Sequence, residues 1–348
     1  MRWLVVVTAL FMTVGTGLAD SPDLGGALHA PSFWRAFKAR FISPAGRVID
    51  NANKNISHSE GQGYGMLLAV AADDRATFDL LWGWSRSQLG RDDGLFAWKW
   101  DPNSTPHVVD SNNASDGDIL IAWALAEAGE YWPGGGYTAA SATIARAISK
   151  SLVIDSDFGV IVIPGSKGFD SRDRRDAPVV NLSYWVFPAF ARLQRITPEG
   201  PWSALTKSGI TVMAATRFGR SGLPPDWISL NGAPRPADGF APTFGYDAIR
   251  IPLYMLWAGL GDKTRLSAYA RLWSEPDSPP RRINVETGEV LEPMAQKGYL
   301  SITALVRCAT SGAKLPTELT GPDIDFYYPT TLRALTLVAI HQRFPECL

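Results

Sequence analysis

Three acids in this 348-residue chain stand where they could do chemistry. Glu60 lies in His58-Ser59-Glu60-Gly61-Gln62-Gly63-Tyr64, Asp116 in Ala114-Ser115-Asp116-Gly117-Asp118, and Asp247 in Phe244-Gly245-Tyr246-Asp247. Each opens onto a strongly apolar run. A carboxylate at the entry to a buried helix is costly unless it is paired or hydrogen-bonded, so this placement points to a polar cavity at the helix mouths. One carboxylic acid that delivers a proton, with a second carboxylate that activates water or attacks carbon, is the minimum for breaking a glycosidic bond. Tyr64 and apolar neighbours are expected to raise the Glu60 carboxyl so that it keeps a proton near neutrality. The glycines beside it are expected to let the backbone approach a ligand closely. Arg250, three residues after Asp247 and on the same helical face, is expected to hold Asp247 ionised. The bland alternative is the same for all three acids: a first-turn carboxylate favourable to the helix dipole, or an N-cap.

Helices must position these acids. From Pro31 onward the chain reads as helix candidates at 31–42, 60–71, 74–89, 116–132, 137–152, 182–196, 200–218, 247–260, 263–274, 299–311 and 330–343. Some are amphipathic, such as Tyr137 to Leu152, where Ala140, Ile144 and Ile148 recur at four-residue steps. Others are apolar nearly all round, such as Ile119–Ala126, Leu182–Leu193, Ile249–Leu260 and Leu332–Ile340, as helices buried on every side are. The alternation implies an inner ring of helices inside an outer one. Six polar or aromatic clusters open the inner helices: at 59–64, 115–118, 181–185, 244–247, 297–299 and 326–329. The pairs share no repeat motif. Six such starts at one end make a closed helical barrel with a single polar mouth. Ser115 or Asp116 reads as the N-cap of its helix. Two interruptions, 153–163 around Asp-Ser-Asp and 283–290 around Thr-Gly, read as β-hairpins on the rim.

Composition narrows the partners. A net charge of −1 gives no electrostatic footprint for nucleic acid. Thirteen Trp, 15 Phe and 10 Tyr suit a groove that stacks the flat faces of sugars. Candidates for that track are Trp98 and Trp100 (on one face if 96–100 is extended), Tyr184, Arg250, and Tyr327 or Tyr328. Arg2, the apolar run from Trp3 to about Val14, and Gly17-Leu18-Ala19 read as an export leader over 1–19. That run is too short to span a membrane, and no membrane insertion is expected. With no linker rich in Pro, Gly or Ser, residues 20–348 read as a single domain. Cys308 and Cys347 could pair after export, but nothing in the sequence shows that they are close. The four histidines are scattered, so neither a metal nor another cofactor is expected.

The run Ala114-Ser115-Asp116-Gly117-Asp118 leading into an apolar helix, with Ser59-Glu60-Gly61-Gln62-Gly63-Tyr64-Gly65 and Tyr246-Asp247-Ala248-Ile249-Arg250-Ile251-Pro252, resembles glycoside hydrolase family 8. The likeness covers most of the chain after the leader and is nearest the periplasmic endoglucanases encoded with bacterial cellulose synthases. It implies an all-α (α/α)6 barrel and an inverting endo-β-1,4-glucanase acting on a β-1,4-glucan chain. It further implies Glu60 as proton donor and Asp247 as general base. For Asp116 it implies a nucleophile or, more economically, a carboxylate that grips and distorts the sugar. Periplasmic or secreted localisation and a cellulose synthase complex as partner follow from the same likeness. Other specificities of the family (mixed-linkage glucan, xylan, chitosan) and a non-catalytic glycan-guiding protein are the alternatives. A polysaccharide lyase fits less well, because its chemistry needs a base and charge neutralisation of a uronate.

Overall fold

A computed structural model describes residues 23–275 and 278–348. The proposed leader, 1–19, lies outside them. Eleven α-helices occur among the described residues. In chain order they are α1 (Pro31–Phe41), α2 (Ser59–Ala71), α3 (Arg75–Gln88), α4 (Ser115–Tyr131), α5 (Tyr137–Ser151), α6 (Phe187–Ile196), α7 (Trp202–Ala215), α8 (Arg250–Trp257), α9 (Ser267–Leu272), α10 (Lys297–Ser311) and α11 (Tyr327–Arg343).

Helices α2, α4, α6, α8, α10 and α11 pack in a closed ring, α11 returning against α2. Their sequences explain why they lie inside. Nearly every residue of α2, and all of α4 from Ser115 to Ala128, is buried, so neither has a polar face to offer water. The outer helices are amphipathic: α1 buries Phe33, Trp34, Phe37 and Phe41, and α5 buries Ser141, Ile144, Ala145 and Ile148. The outer position between α10 and α11 holds only the 3-10 turn Thr317–Leu319, so those two inner helices follow one another directly. The fold is an (α/α)6 barrel with one outer helix replaced by a loop.

Helix ends follow local chemistry. His58 caps α2 by accepting from the Gly61 N–H, and Asp74 caps α3 by accepting from Thr77. Two expectations are corrected. Helix α4 has Ala114 at its N-cap with no side-chain cap, so Ser115 and Asp116 already lie in the first turn. The Ser115 N–H is taken by the carbonyl of Pro164 instead, and this loop contact starts the helix one residue early. The stretch 182–196 is not one helix either. A 3-10 turn over Leu182–Tyr184, with Asn181 accepting from the Ser183 N–H, precedes α6, which begins at Phe187 with Pro188 in its first turn.

Both expected hairpins are present. Val153–Ser156 pairs antiparallel with Gly159–Val162, and Arg281–Asn284 pairs with Val290–Pro293. The second hairpin adds a third strand, Thr243–Phe244, which feeds directly into the segment carrying Asp247. Cys308, late on α10, and Cys347 form a disulfide with Cα atoms 5.8 Å apart. No described helix is long and apolar enough to cross a membrane.

Candidate active site

The N-terminal ends of all six inner helices border one cleft of about 590 Å³. Ser59 and Glu60 come from α2, Asp116 from α4, and Tyr184 from the turn before α6. Tyr246 and Asp247 precede α8, Gln296 and Tyr299 open α10, and Phe326, Tyr328 and Pro329 open α11. The recurrence of polar helix starts in the sequence is thus a spatial gathering.

Glycines set how closely the first two acids approach. A Cβ on Gly63 would lie 2.5 Å from the Cβ of Leu120, and one on Gly117 would lie 2.1 Å from the Ser59 hydroxyl oxygen. Helices α2 and α4 therefore meet backbone to backbone, with Glu60 beside Asp116. The expectation that the glycines around Glu60 serve close approach to a ligand is corrected. Gly61 faces His58 and Tyr327, and Gly65 faces Val48, so they serve helix packing.

Arg250 joins the three acids. Its guanidinium is fully buried. One terminal nitrogen donates to Glu60 Oε2 at 2.5 Å, to Asp116 Oδ2 at 3.3 Å and to the Tyr64 hydroxyl at 3.2 Å. The other donates to Asp247 Oδ1 at 3.0 Å and to Ser183 Oγ at 2.7 Å. Asn181 Nδ2 donates to the second oxygen of Asp247 at 2.8 Å. The carboxyl groups differ in access: their side chains are 17% exposed for Glu60, 1% for Asp116 and 31% for Asp247.

Three carboxylates around one arginine cannot all ionise at no cost. Burial, followed by the Glu60 charge, pushes Asp116 well above the usual range. Burial also raises Glu60, but the Arg250 guanidinium and His58 outweigh it and hold Glu60 below its ordinary value. Glu60 and Asp116 stand close enough to share a proton, and the shifts run in opposite directions, toward the neutral form for Asp116 and the ionised form for Glu60. This corrects the expectation that Glu60 itself is raised: the sequence puts Arg250 near Asp247, and only the fold aims it at Glu60. Asp247 is ion-paired with Arg250 as expected, yet burial and the Glu60 charge raise its carboxyl on balance.

A profile of the Glycosyl hydrolases family 8 matches residues 14–342. The chain belongs to that family. It is accordingly a glycoside hydrolase. It is 36% identical over 312 residues to a probable endoglucanase of Novacetimonas hansenii, covering 88% of this chain and 89% of that protein. It is 39% identical over 285 residues to an endoglucanase of Cellulomonas uda, covering 79% and 77%. Among solved structures it resembles an endo-β-1,4-glucanase of Acetobacter xylinum with a TM-score of 0.83 at 35% identity, covering 91% of this chain and 99% of that one. The family 8 endoglucanase of Klebsiella pneumoniae gives 0.80 at 38% identity, covering 88% and 98%.

The aromatic candidates of this family 8 chain divide. Trp98, Tyr184 and Tyr328 line the cleft. Trp98 is held by a bond from its Nε1 to Asp110, and Tyr328 by a bond from its hydroxyl to the carbonyl of Tyr246. Tyr327 is buried behind the wall, against Phe37, Phe41 and His58. Trp100 does not reach the cleft; it packs on Trp84, His107 and Arg47. It departs from Trp98 because Lys99–Trp100 pairs with Ser57–His58 as a strand, whereas Trp98 precedes that strand.

Sequence reasoning passed over part of the site. Asn181 and Ser183, which hold Asp247 and Arg250, belong to a recognised helix-start cluster of which only Tyr184 was singled out. The groove also continues past Trp98, Ala114 and Tyr184 into a further 280 Å³ bordered by Phe169, Trp227 and Phe240. Trp227 stacks between the other two rings at 5.5 and 4.6 Å. These residues lie in loops, where no helical or strand periodicity marks them.

Proposed function

We propose that this chain is an endo-β-1,4-glucanase that cleaves internal bonds of a cellulose-like chain with inversion. Glu60 is the general acid, Asp247 the base that activates water, and Asp116 a proton-holding partner that grips the sugar at the cleavage point. The observation that carries this reading is the asymmetry of the carboxyl groups around Arg250. Asp116 is almost wholly buried and its carboxyl is pushed toward the neutral form, which makes it a poor nucleophile. Asp247, anchored by Asn181 and Arg250, is the most exposed of the three and is open to a water from the cleft. Glu60 and Asp116 hold one proton between them, and Glu60 is the partner that reaches the cleft to deliver it to the leaving oxygen. The stacked rings extending from Trp98 and Tyr184 to Trp227 suit a long, flat-faced glucan that continues on either side of the cut.

We also propose that residues 1–19 are a leader removed on export, leaving one catalytic unit over 20–348 in the periplasm or outside the cell. The Arg2 and apolar pattern supports this, as does the disulfide, since such bonds persist in oxidising compartments. One contiguous hydrophobic core supports a single unit. Work beside a cellulose synthase complex, trimming glucan during its synthesis, follows from the likeness in sequence alone. The test of the chemistry is proton NMR of the first product from a cello-oligosaccharide. A newly formed α-anomer is expected; a β-anomer would overturn the mechanism. Glu60→Gln and Asp247→Asn should each lower kcat by the ~10²–10⁴-fold typical of a lost general acid or base, with glycan binding kept.

A further inference from the structure

The turn that presents Asp247 is wound around a fourth carboxylate. Asp226 lies 21 residues upstream in Pro225-Asp226-Trp227. Its Oδ1 accepts from the backbone N–H of Gly245 at 3.0 Å and from that of Ala248 at 2.8 Å, so one oxygen gathers the amides on both sides of Asp247. Its other oxygen occupies the place of a side chain at position 245: a Cβ on Gly245 would lie 2.5 Å from Asp226 Oδ2. The glycine is there to admit the carboxylate. The Asp226 backbone N–H is in turn bonded to the carbonyl of Thr243, which locks the two segments side by side. The contact also explains the late start of α8. Residues 246–249 form turns around Asp226, and regular helix begins only at Arg250.

We infer that Asp226 is a positioning residue for the base: it holds the Gly245–Ala248 turn so that Asp247 faces the cleft. The inference rests on the reading of Asp247 as general base. Asp226 acts through Asp247 and is absent from the lining of the cleft. The charged and titratable groups facing the pair are Arg250 and Glu60 on the side of Asp247 and Arg282 on the side of Asp226. Arg282 gives its terminal nitrogen to Glu292 on the neighbouring strand, so it does not cancel Asp226 by a direct bond. Burial, followed by the charge on Asp247, pushes Asp226 up to about 7, and a protonated Asp226 still accepts through Oδ1 from the two amides.

Three variants test the tether. Asp226→Asn keeps an oxygen for the two amides and removes the charge. Its kcat should stay close to wild type, because the tether to both amides survives. Asp226→Ala removes the tether as well and should lower kcat about 10²-fold, the scale of a misplaced reacting group, with KM little changed. Gly245→Ala should reproduce the loss in kcat by expelling the carboxylate, with residue 226 intact. A kcat of folded Asp226→Asn as low as that of Asp226→Ala, or a kcat within about twofold of wild type in Asp226→Ala, would overturn the inference. If Asp226→Ala does not fold, Gly245→Ala decides: a wild-type kcat in that folded variant would overturn it. Failure of the general-base reading shows separately: the wild-type product would be a β-anomer, or Asp247→Asn would keep its activity.

Discussion

Two buried arginines sit near the two ends of α4 and do opposite things. Near its start, Arg250 faces three carboxylates, Glu60, Asp116 and Asp247, in the floor of an open cleft. Eleven residues further along, ~16 Å down the axis at helical rise, Glu127 meets Arg192 of α6. There Arg192 donates to both oxygens of Glu127 at 2.8 and 2.9 Å, Trp123 Nε1 donates to the same carboxylate at 2.7 Å, and Glu130 adds a further ion pair. Both members of the Glu127–Arg192 pair are 1% exposed. That far end is closed by Trp123 against Trp257, by Trp257 Nε1 bonded to Gln342, and by the disulfide. The difference lies in stoichiometry and access. A bidentate pair buried on both sides ties two helices together. A buried arginine with more carboxylates than it can neutralise, some of them reaching an open cleft, leaves a proton to be moved.

The largest effects that would break this contrast come from removing each arginine. Arg192→Met should cost about 3–5 kcal/mol in denaturant unfolding, because Glu127 is left buried and unpaired, while kcat of the folded protein stays near wild type. Arg250→Met should instead lower kcat by at least about 10²-fold, since the group that orders the carboxyl protonation is gone. If Arg192→Met proved as inactive when folded as Arg250→Met, the two clusters would not be functionally distinct. Reduction of Cys308–Cys347, which closes a loop of 39 residues, should cost about 3–4 kcal/mol on the chain-entropy account. It belongs to the closed end, so kcat before unfolding should not change; a loss of turnover in the folded, reduced protein would couple the two ends. The smallest effect sharpens the mouth itself. Trp98→Ala should raise KM by up to about 10-fold, the worth of one stacked ring, whereas Trp100→Ala should leave KM of the folded protein unchanged. Equal effects of the two on KM would show that position 100 also serves the glycan.

Much of the barrel was legible because its signals are local. Helix α2 is apolar on every face and begins at a polar cluster, and both properties are readable without coordinates. The pairing of Asp247 with Arg250 was legible for the same reason, since three residues along a helix are one face. The reach of Arg250 to Glu60 was not, because 190 residues separate them and no periodicity encodes the contact. Asp226 is illegible on similar grounds: it ties the turn before α8 from another segment, and a contact supplied from 21 residues upstream of Asp247 leaves no spacing to read. Trp98 and Trp100 were grouped by strand alternation, and the rule failed because the strand starts between them.

The sequence by itself determined which segments are helices, which of them are buried all round, and which acids stand at their mouths. Those properties follow from side-chain periodicity and capping within a few residues of chain. Tertiary structure alone decided which acid is biased toward holding a proton. Glu60 has the stronger local case for holding it, with Tyr64 and apolar neighbours close in sequence. Yet the fold points the Arg250 guanidinium at Glu60 and places Asp116 behind it, away from water. Proton affinity in a buried cluster is set by distances between charges and by access to solvent, and both exist only once the six helix ends have been brought together.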